Sequence, residues 1–132
     1  MTSAGRETGR LGVGELRFDA DGLIPAIVQE CDTGSILMLA CMNEESLTRT
    51  IEERRSWFFS RSRGRLWMKG EESGNVQQVI DVRYDCDADS LLILVDPAGP
   101  ACHTGEHSCF YRSLIPEAEG DGIELSDLLK GE

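Results

Sequence analysis

Among its 132 residues the chain has no apolar run approaching about 18 residues, which excludes a membrane-spanning helix. Nor does the stretch from Met1 to Asp21 carry the apolar core of a secretory signal. Basic residues are scarce: 13 Lys plus Arg stand against 24 Asp plus Glu, a net charge of −11. Phosphate attraction supplies most general nucleic-acid affinity, so this balance argues against a nucleic-acid binder. The five cysteines are an odd number, and with no signal core a disulfide framework is not expected; reduced thiols in a cytoplasmic protein are. No internal repeat or domain linker interrupts the chain. Apolar residues make up 40 % of it, too many for a disordered segment, and the length suits a single core.

The little positive charge is concentrated. The 16 residues from Arg54 to Lys69 hold Arg54, Arg55, Arg61, Arg63, Arg65 and Lys69 and no acid, leaving 7 bases against 24 acids elsewhere. Such a cluster reads either as a solvated hairpin balancing nearby acids or as a pocket for an anionic small molecule. An acidic protein must gather positive charge locally to capture a phosphate, and arginine forks suit that task.

The pattern along the chain predicts one α+β domain, mostly antiparallel β-sheet with one clear helix. Residues 1–14 read as a loose arm, 15–116 as the folded domain and 117–132 as an acidic tail, with a weak helix at Ser126 to Lys130. Leu23 to Glu30 and Ser35 to Met42 read as a hairpin around Asp32-Thr33-Gly34. Asn43 is a helix cap followed by Glu44 and Glu45, and Leu47 with Ile51 supplies an apolar pair, predicting a helix to about Glu53. Trp57 to Ser62 and Leu66 to Lys69 form two strands around Gly64. A two-residue turn there puts Ser60, Ser62, Arg65, Trp67 and Lys69 on one face and Trp57, Phe59, Leu66 and Met68 on the other. Val76 to Tyr84, Leu91 to Val95 and Cys109 to Leu114 are the remaining strands.

Two groups of residues carry chemistry. In an extended Asp85-Cys86-Asp87-Ala88-Asp89 the three carboxylates share a face and Cys86 points away. Carboxylates about 4 Å apart repel by about 4 kcal/mol at an effective dielectric near 20. A hard divalent cation reverses that sign, and magnesium suits oxygen ligands. The competing reading is a solvated acidic turn; an EF-hand fails, because Ser90 stands where the loop needs Gly.

Cys86, Cys102 and Cys109 form the second group, with His103 and His107 between the last two. Their spacing is not that of a zinc ribbon or finger. Two of the thiols lie in or beside loops rich in Gly, Pro and Ser, however, where packing gives little reason for Cys. Cys31 and Cys41 sit in or beside apolar runs and read as core or near-core thiols. Three thiolates leave zinc a position for water, whereas a fourth ligand from His103 or His107 closes the site. An open zinc lowers the pKa of its water from about 15.7 to about 7, making hydroxide easier to form by roughly 12 kcal/mol. His103 is the candidate general acid or base, or else a hydrogen-bonding support for a ligand.

Several ordered motifs together resemble the phosphoribosyl-AMP cyclohydrolase family over roughly residues 20–115. They are Ser60-Arg61-Ser62-Arg63, Leu66-Trp67-Met68-Lys69-Gly70-Glu71, Ser73-Gly74-Asn75, the Asp85 to Asp89 run, and Gly99-Pro100-Ala101-Cys102-His103-Thr104-Gly105 through Ser108-Cys109-Phe110. Met38 to Leu47 is similar to the family's pattern too. The resemblance implies opening of the adenine ring of phosphoribosyl-AMP between ring nitrogen 1 and carbon 6, a step of histidine biosynthesis. It implies zinc at Cys86, Cys102 and Cys109, magnesium at Asp85, Asp87 and Asp89, and a homodimer whose zinc ligands come from both chains. The phosphorylated nucleotide would meet Arg61, Arg63, Trp67, Lys69, Glu71, Ser73, Gly74 and Asn75, although Trp67 reads equally as a core residue. Glu72 departs from the family's usual Thr, and Cys41 from a position often aromatic. His107 occupies a variable position and is not read as catalytic. Many relatives are fused to a pyrophosphohydrolase domain, for which this chain ends too soon, so only the cyclohydrolase step is expected. The rival reading is a non-catalytic, zinc-stapled module that holds a nucleotide or acidic peptide. A nucleobase deaminase ranks below both, because its H-x-E and P-C-x-x-C signature is missing.

Overall fold

The computed structural model describes residues 10–115 and 118; the tail helix expected at Ser126 to Lys130 lies outside them. Among the described residues, six strands, one α-helix and a short 3-10 turn at Val13–Glu15 make an α+β fold. β1 (Ile24–Glu30) and β2 (Ile36–Met42) form an antiparallel hairpin, followed by α1 (Glu44–Glu53). β3 (Trp57–Ser60) pairs with β4 (Arg65–Met68) in a separate two-stranded sheet. β5 (Gln77–Tyr84) and β6 (Leu91–Pro97) complete a four-stranded sheet of order β2-β1-β6-β5. One pairing in it is parallel: β6 runs beside β1 from Ala26 opposite Leu91 to Glu30 opposite Val95.

Side-chain alternation explains which face packs. Ile24, Ala26 and Val28 on β1 are buried, as are Ile93 and Val95 on β6, and all belong to the core. Pro25 lies just before the β6 pairing begins, where a strand tolerates a missing N–H. The opposite face carries apolar side chains as well. Ile27 is paired with Leu39 and with Leu92, and Ile27, Ile36 and Leu39 are 38 %, 40 % and 55 % exposed.

The helix forms where the sequence predicts it. Asn43 Oδ1 accepts from Ser46 N–H at 2.8 Å and Ser46 Oγ accepts from Asn43 N–H at 2.9 Å, a reciprocal cap. Leu47 is buried in the core, while Ile51 is partly exposed. The segment preceding β1 packs too: Leu11 N–H donates to the Tyr84 hydroxyl at 2.9 Å, and Val13, Leu16 and Phe18 lie against the core.

Several expectations are corrected. Four residues, 61–64, close the β3–β4 hairpin rather than two. An even change in turn length preserves side-chain parity, so Ser60, Arg65 and Trp67 still share a face. Phe58 belongs to that face and is fully buried, with its ring centroid 4.9 Å from that of Trp67, so Trp67 is packed against the core. No strand forms between Cys109 and Leu114. That segment instead hangs from β2 by Cys109 N–H donating to Leu37 C=O at 2.7 Å and Ser108 Oγ to Ile36 C=O at 2.6 Å. Cys31 is exposed, because it follows the last residue of β1 and enters a turn; Cys41 is half-buried on the outer sheet face, opposite Pro25. No helix among the described residues is long and apolar enough to cross a membrane.

Candidate metal centre and substrate cleft

The chain gathers its chemistry at two separate places. The first is the turn between β5 and β6. Asp85 to Asp89 is not extended: Ala88 N–H donates to Asp85 C=O at 3.0 Å, Asp85 N–H to Ser90 C=O at 3.1 Å, and Ala88 takes a left-handed φ of 61°. Folding into this turn still brings one carboxylate oxygen each from Asp85, Asp87 and Asp89 within 4.8 Å of one another. Asp85 Oδ1 accepts from the N–H groups of Asp89 and Ser90 at 3.0 and 3.2 Å. Partial removal from water works against ionisation of Asp85, but these donors outweigh it and hold its pKa below the ordinary value. Asp89 is pushed up by its hydrogen bond with Asp87, by desolvation and by the neighbouring carboxylates. Asp89 thus gives up its proton less readily than an isolated aspartate, as crowded like charges do.

The second place is the loop from Ala98 to Phe110. Two backbone bonds close it, from Ala101 N–H to His107 C=O and from Cys102 N–H to Glu106 C=O, both at 3.1 Å. His107 Nε2 lies 2.7 Å from Glu30 Oε1 and anchors the loop to the end of β1. The resulting fold-back sets Cys102 and Cys109 in mutual contact. Thr104 Oγ1 donates to Cys102 Sγ at 3.0 Å; this bond, aided by Cys109 and the Lys69 charge, holds the Cys102 thiol below its ordinary pKa. Desolvation and then the neighbouring Cys102 push Cys109 up.

Beside this loop a cleft of about 290 Å³ is lined by residues of β4 and the segments either side of it, among them Arg63, Arg65, Trp67, Lys69, Glu71 and Ser73, and by His103. β4 supplies the alternate residues Arg65 and Trp67, and Gly70 turns the chain into the Glu71–Asn75 loop. Gly70 has φ +87°, and a Cβ there would sit 2.5 Å from the carbonyl carbon of Asn75, so only glycine fits.

A family model described as phosphoribosyl-AMP cyclohydrolase matches residues 38–111. That stretch includes both cysteine-bearing segments, the carboxylate turn and every residue of the cleft. The chain belongs to the phosphoribosyl-AMP cyclohydrolase family. It is 48 % identical over 124 residues to the phosphoribosyl-AMP cyclohydrolase of Chlorobaculum tepidum, covering 94 % of this chain and 88 % of the relative. Against histidine biosynthesis bifunctional proteins it is 59 % identical over 119 residues in Caldanaerobacter subterraneus (90 % of this chain) and 57 % over 116 in Bacillus subtilis (88 %). The chain spans little more than half of those two proteins, 58 % and 56 % of their lengths.

The family's motif positions do not all meet within one chain. Arg63, Trp67, Lys69, Glu71, Ser73 and His103 converge on the cleft, whereas Arg61, Gly74 and Asn75 are not among its walls. Asn75 instead packs against Gly99 and ties the Glu71–Asn75 loop to the cysteine loop. Cys86 does not join Cys102 and Cys109. Cys109 is bonded to β2 at one edge of the sheet and Cys86 follows β5 at the other. Three strand spacings put about 14 Å between those edges before any offset along the strands. Sequence reasoning missed Glu30, which fixes the loop from 77 residues away through His107, and Thr104, which acts on Cys102. The C-x-T spacing of Cys102 and Thr104 is visible in the sequence; the Glu30 pairing leaves no local signal.

Proposed function

We propose that this chain opens the adenine ring of phosphoribosyl-AMP by adding water at carbon 6 and breaking the bond to ring nitrogen 1, a step of histidine biosynthesis. The observation that carries the reading is the cleft in which Arg63, Arg65 and His103 stand beside the Cys102–Cys109 pair. The substrate's two phosphates meet the arginine forks, which suit bidentate contacts. His103 holds and moves the proton: it accepts one as water adds at carbon 6 and donates one to ring nitrogen 1 as the bond breaks.

The donor sets fit two metals. Adjacent thiols, one of them held towards the thiolate, suit zinc, and Cys86 would be the third ligand. Three clustered carboxylates suit magnesium. When bound, a zinc ion with an open position supplies Lewis acidity and lowers the pKa of water from about 15.7 to about 7. Because Cys86 lies across the sheet, its partner thiols would come from a second copy, giving a homodimer with one such site at each junction. The exposed apolar face around Ile27, Ile36 and Leu39 supports that association.

The test is metal content measured together with ring opening of phosphoribosyl-AMP, followed by absorbance. Cys102→Ser and Cys109→Ser are each expected to lose zinc and turnover. Full turnover by either variant without zinc would overturn the reading and favour a binding module.

A further inference from the structure

We infer that Lys69 is a positioning residue: its ammonium holds the Ala101 carbonyl and so fixes the loop presenting Cys102 and Cys109, instead of binding a substrate phosphate. The inference rests on reading those two thiols as zinc ligands. Lys69 leaves β4 with its backbone fixed, its N–H donating to Ser56 C=O at 2.9 Å. From there Nζ donates to the carbonyl of Ala101, 32 residues away in the sequence. Ala101 is 1 % exposed, so without this donor its carbonyl would be buried beside few other partners, a costly arrangement. The same residue's N–H is held by His107 C=O, and the next residue's by Glu106 C=O. The Lys69 bond is therefore a direct hydrogen-bonded tie between this closed loop and the wall of the cleft, beside the packing of Asn75 on Gly99. A phosphate in the cleft would have to draw the ammonium off the carbonyl, whereas Arg63 and Arg65 are exposed on the same cleft and free to turn towards it.

Two variants, Lys69→Met and Lys69→Arg, separate the roles. Zinc retention is measured by competition with a chromophoric chelator, and kcat and KM are measured across a range of salt. Partners that orient metal ligands are worth about tenfold or more in metal affinity or activity. Lys69→Met is expected to release zinc about tenfold more readily and to lower kcat, with KM and its salt dependence within about twofold of the parent. Lys69→Arg, which keeps a donor and the charge, should recover part of the zinc retention. A KM raised tenfold or more in a salt-sensitive way, with zinc retention unchanged in both variants, would overturn the inference and make Lys69 a phosphate ligand. The chelator measurement needs no substrate, so it decides the role of Lys69 even if the parent chain fails to open phosphoribosyl-AMP.

Discussion

Single residues decide how the two reactive clusters are held. Thr104 and Cys102 form a bond of 3.0 Å that favours the thiolate, and Asp85 accepts two backbone N–H groups that favour the carboxylate. In both cases a donor aimed at the charged form favours the state that the proposed metals would need. Gly70 works differently, through space and backbone angle alone. Its φ of +87° costs a side-chain-bearing residue about 1–2 kcal/mol, and the 2.5 Å approach to Asn75 adds to that. Gly70→Ala is therefore expected to lower stability by at least about 1–2 kcal/mol and to displace the Glu71–Asn75 loop. A urea titration checks it; an unchanged midpoint would mean that the loop relaxes freely.

At the scale of elements, local chemistry was readable and distant pairing was not. The cap at Asn43 and the acids after it announce α1, and the reciprocal bonds with Ser46 bear that out. Asn43→Ala should cost about 1 kcal/mol, seen as a lower urea midpoint with an unchanged slope. The β3–β4 faces were readable because parity survives a turn longer by two residues. The parallel pairing of β1 with β6 was not, since the strands are about 65 residues apart in the chain and no local pattern specifies the neighbour. The Asp85–Ser90 turn escaped for another reason. It holds no glycine, and Ala88 takes the left-handed position that sequence rules assign to Gly or Asn. The carboxylates still converge, because the turn folds them together where an extended strand would only have aligned them. Likewise, Cys109 to Leu114 has a strand-like composition but docks onto β2 by only a few bonds, without a ladder.

Across the whole molecule, the four-stranded sheet is both scaffold and divider. Its core face carries α1 and the β3–β4 hairpin, while its edges keep Cys86 away from Cys102 and Cys109. Its other face leaves Ile27, Ile36 and Leu39 exposed, in a chain otherwise rich in acids. A C2 pairing of such faces brings unlike ends of two sheets together, which is what the proposed zinc site needs. Leu39→Asp on that face is expected to leave the fold intact, because the side chain is 55 % exposed in the single chain, yet to yield an inactive monomer. Circular dichroism and light scattering check the two halves of that outcome, and an active monomer would refute the role given to this face.

The most direct measurement mixes two inactive variants, Cys86→Ser and Cys109→Ser, under conditions that let subunits exchange. If each site draws Cys86 from one copy and Cys102 with Cys109 from the other, a mixed dimer carries one intact site and one doubly broken site. Random pairing then restores roughly a quarter of the parent's turnover and zinc content. Activity no higher in the mixture than in either variant alone would contradict the shared site.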